Sequence, residues 1–408
     1  MRKNIKRRVI DVLIVLIVAS LTFLIIPAWL PFLRRGWQLL VFATILLVFN
    51  GSRYFSFRAI VALITYFLVL VFHVYWGDVY FGSISSAIYE ILILFVPSSL
   101  ILYYIKSGNT KTIRMLVYIT IGALLFEVVS SFIIFETNPG IIRSLAGLSS
   151  MDENPQMVYE FYKLGLMDYT MGHAIPIFIP TLFCHFKENV RKWKWISLVL
   201  IIVCVFLVWL SESSTALLLT CMMLILGMVV SVNATLKKQI TIIIALTFIT
   251  IILFSNSYVL NRFFDVAETL VDDNSIYVEK IEELRMSSLE DRIEGDMEGR
   301  IDKYDRSLSL FLDNIFWGSN QMPGRHSGIL DRLALLGLSG FIPLALFFFF
   351  SLKEVWKYIP QNRKIYYLES MVAAFLMLLF KAMWLWTIFL FLFVLSPCVL
   401  YMRQQQKK

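Results

Sequence analysis

Charge is scarce in this sequence: 16% of the 408 residues are Asp, Glu, Lys or Arg, against 59% hydrophobic, and the mean hydropathy is +0.74. A chain so poor in polar surface cannot cover itself against water, which excludes the two or three soluble domains its length would otherwise suggest. Cysteine is rare as well. Cys184, Cys204, Cys221 and Cys398 all lie in or beside apolar runs, so they provide neither a disulfide framework nor a zinc-ligand spacing. No internal repeat relates the two halves, a symmetry that many transporters carry. The opening MRKNIKRR precedes an apolar stretch from Val9, but Pro27, Trp29 and Pro31 follow without a small-residue cleavage site, so an uncleaved first span is expected.

What the chain has instead is a series of apolar runs. They cover residues 9–32, 37–50, 59–76, 84–105, 113–135, 169–186, 195–210, 215–232, 240–255, 328–350, 365–382 and 384–402, about twelve segments of roughly spanning length. The expected fold is an all-α polytopic membrane protein of about twelve transmembrane helices. Bases outnumber acids by 37 to 29, a net +8 that is spread between the runs rather than gathered in a stripe, so a nucleic-acid partner is not expected. An even number of spans puts the N-terminal arm, GSRYFSFR, KSGNTKT, KENVRKWK, NATLKKQ, the connection from Lys353 to Lys364 and the tail MRQQQKK on one side, and these pieces hold more than half of the Lys and Arg residues. That side is read as cytoplasmic, with both termini on it. Arg34 and Arg35 are the exception, and Trp29, Trp37, Trp76, Trp195 and Trp384 at span ends form an aromatic belt.

The chain therefore divides into nine spans (1–255), an extracytoplasmic loop (256–327) between the ninth and tenth, and three last spans (328–408). A shorter outer connection runs from Glu136 to Asp168. In the long loop Ile301, Tyr304, Leu308, Phe311 and Ile315 recur at helical spacing, predicting an amphipathic helix that lies on the membrane surface or caps a cavity. Trp317-Gly318 and Pro323-Gly324 then punctuate the chain before the tenth span.

The segment from Gly299 to Pro343, GRIDKYDRSLSLFLDNIFWGSNQMPGRHSGILDRLALLGLSGFIP, carries the most chemistry. It resembles the C-terminal signature of the O-antigen polymerase and O-antigen ligase superfamily, the Wzy- and WaaL-type proteins of bacterial surface polysaccharide assembly. The matching elements are Gly299-Arg300 opening a helix, the Phe316-Trp317-Gly318 turn, His326-Ser327 before the next span, and Gly337-Leu338-Ser339-Gly340 within it. The match covers about a tenth of the chain, backed by span count and loop placement.

The resemblance implies a metal-independent, inverting glycosyltransferase of the cytoplasmic membrane, without a cofactor, that uses an undecaprenyl-pyrophosphate-linked oligosaccharide and can work with a chain-length regulator. A pyrophosphate leaving group needs cationic donors, and guanidinium groups match phosphate oxygens. Arg300, with Lys303 and Arg306 on neighbouring faces of the same predicted helix and Arg325 in the Pro-Gly turn, are the candidates for binding it. His326, at the start of the tenth span where a helix N-terminus disfavours imidazolium, is the candidate general base. Members of the superfamily commonly carry a further Arg near the position of Ser211 to Thr215; here serine stands there, so a second cation must come from elsewhere, Arg325 or Arg143 being available.

Each of these residues also has a plainer reading. His326 can be a polar helix start, and Arg300 can pair with Asp296 or Asp305 on a helix surface. Arg332 and Glu127 are ionisable groups inside apolar runs: Arg332 can snorkel or pair with Asp331, and Glu127 can make an interhelical hydrogen bond. His73, His173 and His185 read as interface residues. The leading functional expectation is a repeat-unit polymerase, with a ligase passing glycan to lipid A core or another acceptor, or a lipid-linked oligosaccharide flippase, as alternatives.

Overall fold

The computed structural model describes residues 2–23, 36–76, 83–137, 160–188 apart from 168, 191–230 apart from 212, and 296–402 apart from 320 and 383, with residues 26, 29, 30 and 241 between them. The described residues are helical with no strand. The helices are α1 (Arg2–Thr22), α2 (Gly36–Gly51), α3 (Phe57–Trp76), α4 (Ile84–Lys106), α5 (Thr110–Thr137), α6 (Tyr169–Lys187), α7 (Arg191–Leu210), α8 (Ser214–Val229), α9 (Asp296–Asp313), α10 (Gly328–Trp356) and α11 (Lys364–Phe380). The last run is α12 (Trp386–Leu390), a π-helical turn (Phe391–Leu395) and α13 (Ser396–Met402), continuous in the chain.

A helix stands at eleven of the twelve expected apolar runs. The ninth, 240–255, apart from residue 241, and the loop from 256 to 295 lie outside the described residues, as do Arg34, Arg35 and Arg143. Within α3, α4, α5 and α10 lie stretches long and apolar enough to cross a bilayer, and several shorter helices are also apolar. The chain is thus a helical membrane protein.

The centre is built from helices that are apolar on every side, as a helix without a water-facing stripe must be. Residues 171–184 of α6 and 386–400 of the last run are buried throughout. They meet where Ser396 Oγ donates to the Ile177 carbonyl at 3.2 Å and the Phe178 and Phe391 rings pack edge to face. Pro176 and Pro180 sit inside α6, tolerated because neighbouring helices enclose the backbone they free. By contrast α3 leaves Val61, Ile64, Leu68, Phe72 and Tyr75 exposed. Their three- and four-residue spacing makes one predominantly apolar face, on which the Thr65 hydroxyl is turned back onto the Val61 carbonyl at 3.0 Å, and such a face is what meets hydrocarbon in a membrane protein.

Two expectations are corrected. The first run was expected to extend to residue 32, but α1 ends at Thr22, five residues before Pro27, a residue type that a continued helix would not accommodate without a kink. The tenth run, expected as a single span over 328–350, is interrupted at Gly337, whose φ of 55° and ψ of −160° lie outside any helix. It is two segments, 328–336 and 338–356. The second, about 28 Å long at 1.5 Å per residue, matches the hydrocarbon thickness by itself.

Candidate active site

The break in α10 explains how α9 is held. At a helix interruption the freed amide and carbonyl groups need partners, because lipid offers none. The Phe316-Trp317-Gly318 turn provides them: Ser319 N–H donates to the Ala334 carbonyl at 2.7 Å, while Leu338 and Ser339 N–H groups donate to the carbonyls of Ile315 and Phe316 at 2.8 and 2.9 Å. Gly318 and Gly337 both have positive φ. A Cβ on Gly318 would lie 2.2 Å from the Leu335 carbonyl oxygen, and one on Gly337 would lie 2.5 Å from the Phe316 oxygen. Only glycine fits either position. The Phe316-Trp317-Gly318 turn and the Gly337-Leu338-Ser339-Gly340 stretch are therefore the halves of one backbone clasp.

His73, near the end of α3, fastens the same turn from the other side. Its Nδ1 is 2.9 Å from the Val69 carbonyl oxygen and its Nε2 is 2.7 Å from that of Trp317. A neutral ring can donate to one of these, an imidazolium to both. The expectation of a mere interface histidine is thus refined: its ring nitrogens hold backbone.

One clasp orients α9 at its C-terminal end, and a second polar knot holds its middle against the loop that carries His326. Ser307, buried, donates its hydroxyl to Asp331 Oδ1 at 2.7 Å and accepts the Gly324 N–H at 2.9 Å. The Asp331 carboxylate also accepts the backbone N–H groups of Arg325 and Ser327. Ser327 is the N-cap of α10, its hydroxyl accepting the Leu330 N–H at 3.1 Å. These bonds satisfy the amide groups that a helix start leaves open. They also hold Arg325 at φ 58°, the single non-glycine residue with positive φ among the described residues. Gly324 lies so close to α9 that a Cβ there would meet the Lys303 carbonyl oxygen at 1.9 Å.

His326 is thereby set beside α9, its ring 5.5 Å from the Tyr304 ring at an interplanar angle of 68°. The Tyr304 hydroxyl donates to the Phe380 carbonyl at 3.1 Å, and Gly328 N–H donates to the Lys381 carbonyl at 3.0 Å. The end of α11 is therefore part of the site. Lys381, at the end of the apolar run 365–382, is a cation not among the candidates of the sequence analysis. Its signal was a basic residue at the end of an apolar run on the side assigned as outer, where bases are few.

Of the residues expected to bind pyrophosphate, Lys303 and Arg325 border His326 through their backbones. Arg306 does not join them: it is exposed on α9, two positions beyond Tyr304 and so nearly opposite it on the helix. Arg300 belongs to the N-terminal part of α9, and its side chain lies outside the described residues. Its backbone position is one turn before Tyr304, on the face that meets His326.

Arg332 corrects a further expectation. It neither snorkels nor takes Asp331 as its hydrogen-bonded partner. It is buried, with Nε and Nη2 donating to the two oxygens of Glu90 at 3.0 and 2.9 Å and Nη1 donating to the Gly328 carbonyl at 3.3 Å. The Tyr66 hydroxyl donates to the same carboxylate, and the guanidinium lies 3.8 Å over the Trp384 ring. Forked geometry and a flat face are what arginine offers over lysine at such a place. From Arg332 and Trp384 an apolar groove of about 230 Å³ runs between α10 and α11, lined by Phe341, Leu344, Phe348, Met371, Phe375 and Leu378 among others. The Trp384 Nε1 is buried without an acceptor among the described residues.

Elsewhere, Ser213 Oγ and His173 Nε2 hydrogen-bond at 2.8 Å, His185 Nε2 meets the Val399 carbonyl at 3.1 Å, and Glu127 is buried in α5. No protein-family model matches the chain, and no curated protein is similar to it at a significant level.

Proposed function

We propose that the protein is a glycan polymerase that joins undecaprenyl-pyrophosphate-linked repeat units at the outer face of a bacterial cytoplasmic membrane, crossing it about twelve times with both termini cytoplasmic. The observation that carries the reading is the seating of α9 on the loop that presents His326, with Tyr304 between that ring and the turn bearing Arg300. The acceptor sugar hydroxyl attacks the anomeric carbon of the donor glycan as its proton passes to His326. The bond from that carbon to the pyrophosphate oxygen breaks, and the pyrophosphate departs with the electron pair, giving inversion. Arg300, aided by Lys303, Arg325 and Lys381, neutralises the developing charge.

The apolar groove headed by Arg332 and Trp384 has the character a polyprenyl tail requires, with the Glu90-paired guanidinium and an indole N–H that has no acceptor among the described residues at its head. A ligase that passes finished glycan to another acceptor would use the same groups. The deciding experiment is His326→Ala and Arg300→Ala in a strain that depends on this chain for surface polysaccharide. Long polymer should vanish while single repeat units remain attached and the protein stays in the membrane. Loss of all attachment would mark a ligase instead, and unchanged polymer in both variants would end the glycosyltransferase reading.

A further inference from the structure

The sides of α9 divide into three sectors. One, including Tyr304, Ser307, Leu310 and Phe311, is buried or half-buried against the molecule. A second, with Asp302, Asp305, Arg306 and Asp313, is exposed and charged. Between them runs a narrow stripe of Leu308 and Leu312, four residues apart, that continues past the end of α9 into Ile315, Phe316 and Trp317. All five are exposed, Leu312 at 58% and Trp317 at 57%. A helix that only capped a site would need no such stripe, and water would penalise it.

Its position names what covers it. Trp317 is in ring contact with Phe72 at 5.7 Å, and Phe72 belongs to the row Val61, Ile64, Leu68, Phe72 and Tyr75 that forms the hydrocarbon-facing side of α3. The stripe of α9 is therefore an extension of a lipid-facing surface, reached at the end of α3. The backbone clasp fixes its level, because the Phe316 to Ser319 turn bonds to α10 where the spanning segment 338–356 begins. Tryptophan favours that depth, where an apolar ring and an N–H donor are both satisfied. The neighbouring charged sector lies on the side that an interfacial helix keeps in water.

We propose that α9 is an interfacial membrane helix: its Leu308 and Leu312 edge and the Ile315-Phe316-Trp317 turn are immersed in the lipid leaflet at the His326 end of the bundle, while its acidic sector faces water. The partner is the lipid surface itself. This holds whether or not the chain transfers glycans.

The test uses the full chain with Cys221→Ser, which leaves the three buried cysteines, and a nitroxide attached at Leu312→Cys or, as the reference, at Asp313→Cys. Both sites are exposed, so neither change disturbs packing. The protein is placed one copy per nanodisc of phosphatidylcholine and phosphatidylglycerol. The label at position 312 should collide with oxygen several-fold more than with a water-soluble nickel chelate, and the label at 313 should show the reverse order. Equal or greater nickel access at 312 would overturn the proposal. So would spin-spin broadening between labels at 312 in detergent micelles, which would assign the stripe to a second copy of the chain.

Discussion

Two buried Arg–Glu pairs sit at opposite ends of the antiparallel α10 and α11, and they are built differently. Near the start of α10, Arg332 grips both oxygens of Glu90, shares that carboxylate with Tyr66, and presents its flat face to Trp384 at the head of an apolar groove. Before the start of α11, Arg363 donates through Nε to one oxygen of Glu188 at 2.6 Å and through Nη1 to the Leu400 carbonyl. The second pair closes helix ends, since Glu188 follows α6 and Leu400 lies in α13. The first joins α3, α4 and α10 where no helix end requires it, and its remaining surface turns toward the groove. Equal burial thus serves two purposes, one of which is only architectural.

The comparison can be broken by treating both pairs alike. Arg332→Met and Arg363→Met should each destabilise by about 3–5 kcal/mol, because each leaves a carboxylate buried without its cation. Adding Glu90→Gln or Glu188→Gln, which removes that charge, should restore most of the loss in detergent-titrated unfolding. Polymer formation should then return for the Arg363 and Glu188 double variant and stay absent for the Arg332 and Glu90 one. Return in both would make the Arg332 pair architectural as well.

The clasp sharpens the same contrast with backbone in place of side chains. Gly337→Ala should cost about 2–4 kcal/mol, from the positive φ and the crowding against Phe316, read as a fall in the unfolding midpoint. Asp331→Asn should cost less, about 1–2 kcal/mol, since the amide can keep some of the bonds to Ser307 and the loop N–H groups. Its sharper signature would be a changed chemical environment for His326, followed as its imidazole resonance in selectively labelled protein. Least affected should be Lys357→Ala: its partner Glu354, at 2.5 Å, is partly exposed and also lies 3.6 Å from Lys106, so the midpoint should move by no more than about 0.5 kcal/mol.

Periodicity made the helices readable, because apolar runs of spanning length have few other structures open to them. The amphipathic helix after Gly299 was legible for the same reason, and α9 covers it as far as Asp313, with Ile315 in the turn that follows. The interruption at Gly337 was not. Gly337-Leu338-Ser339-Gly340 reads as tolerable inside an apolar helix, and only the facing Phe316-Trp317-Gly318 turn makes the break favourable. The Arg332 to Glu90 pair escaped because its members are 242 positions apart, and Glu90 was absorbed into an apolar run while Asp331, the adjacent carboxylate, was the obvious partner. Asp331 is taken up by Ser307 and the loop. Arg306 was placed on a face neighbouring that of Arg300, and its exposure nearly opposite Tyr304 shows only once α9 is seated; the nearness of Lys381 to Gly328 exists only after α11 has packed.

The clasp between residues 315–319 and 334–339 also orders biogenesis. Synthesis runs from the N-terminus, so the carbonyls of Ile315 and Phe316 leave the ribosome before the amides of Leu338 and Ser339 that they accept. When the nascent helix reaches its interruption, its acceptors are already waiting at the bilayer edge. A permuted chain that delivered the second segment first would have to insert a helix with open backbone groups into hydrocarbon, and quality control would meet it there.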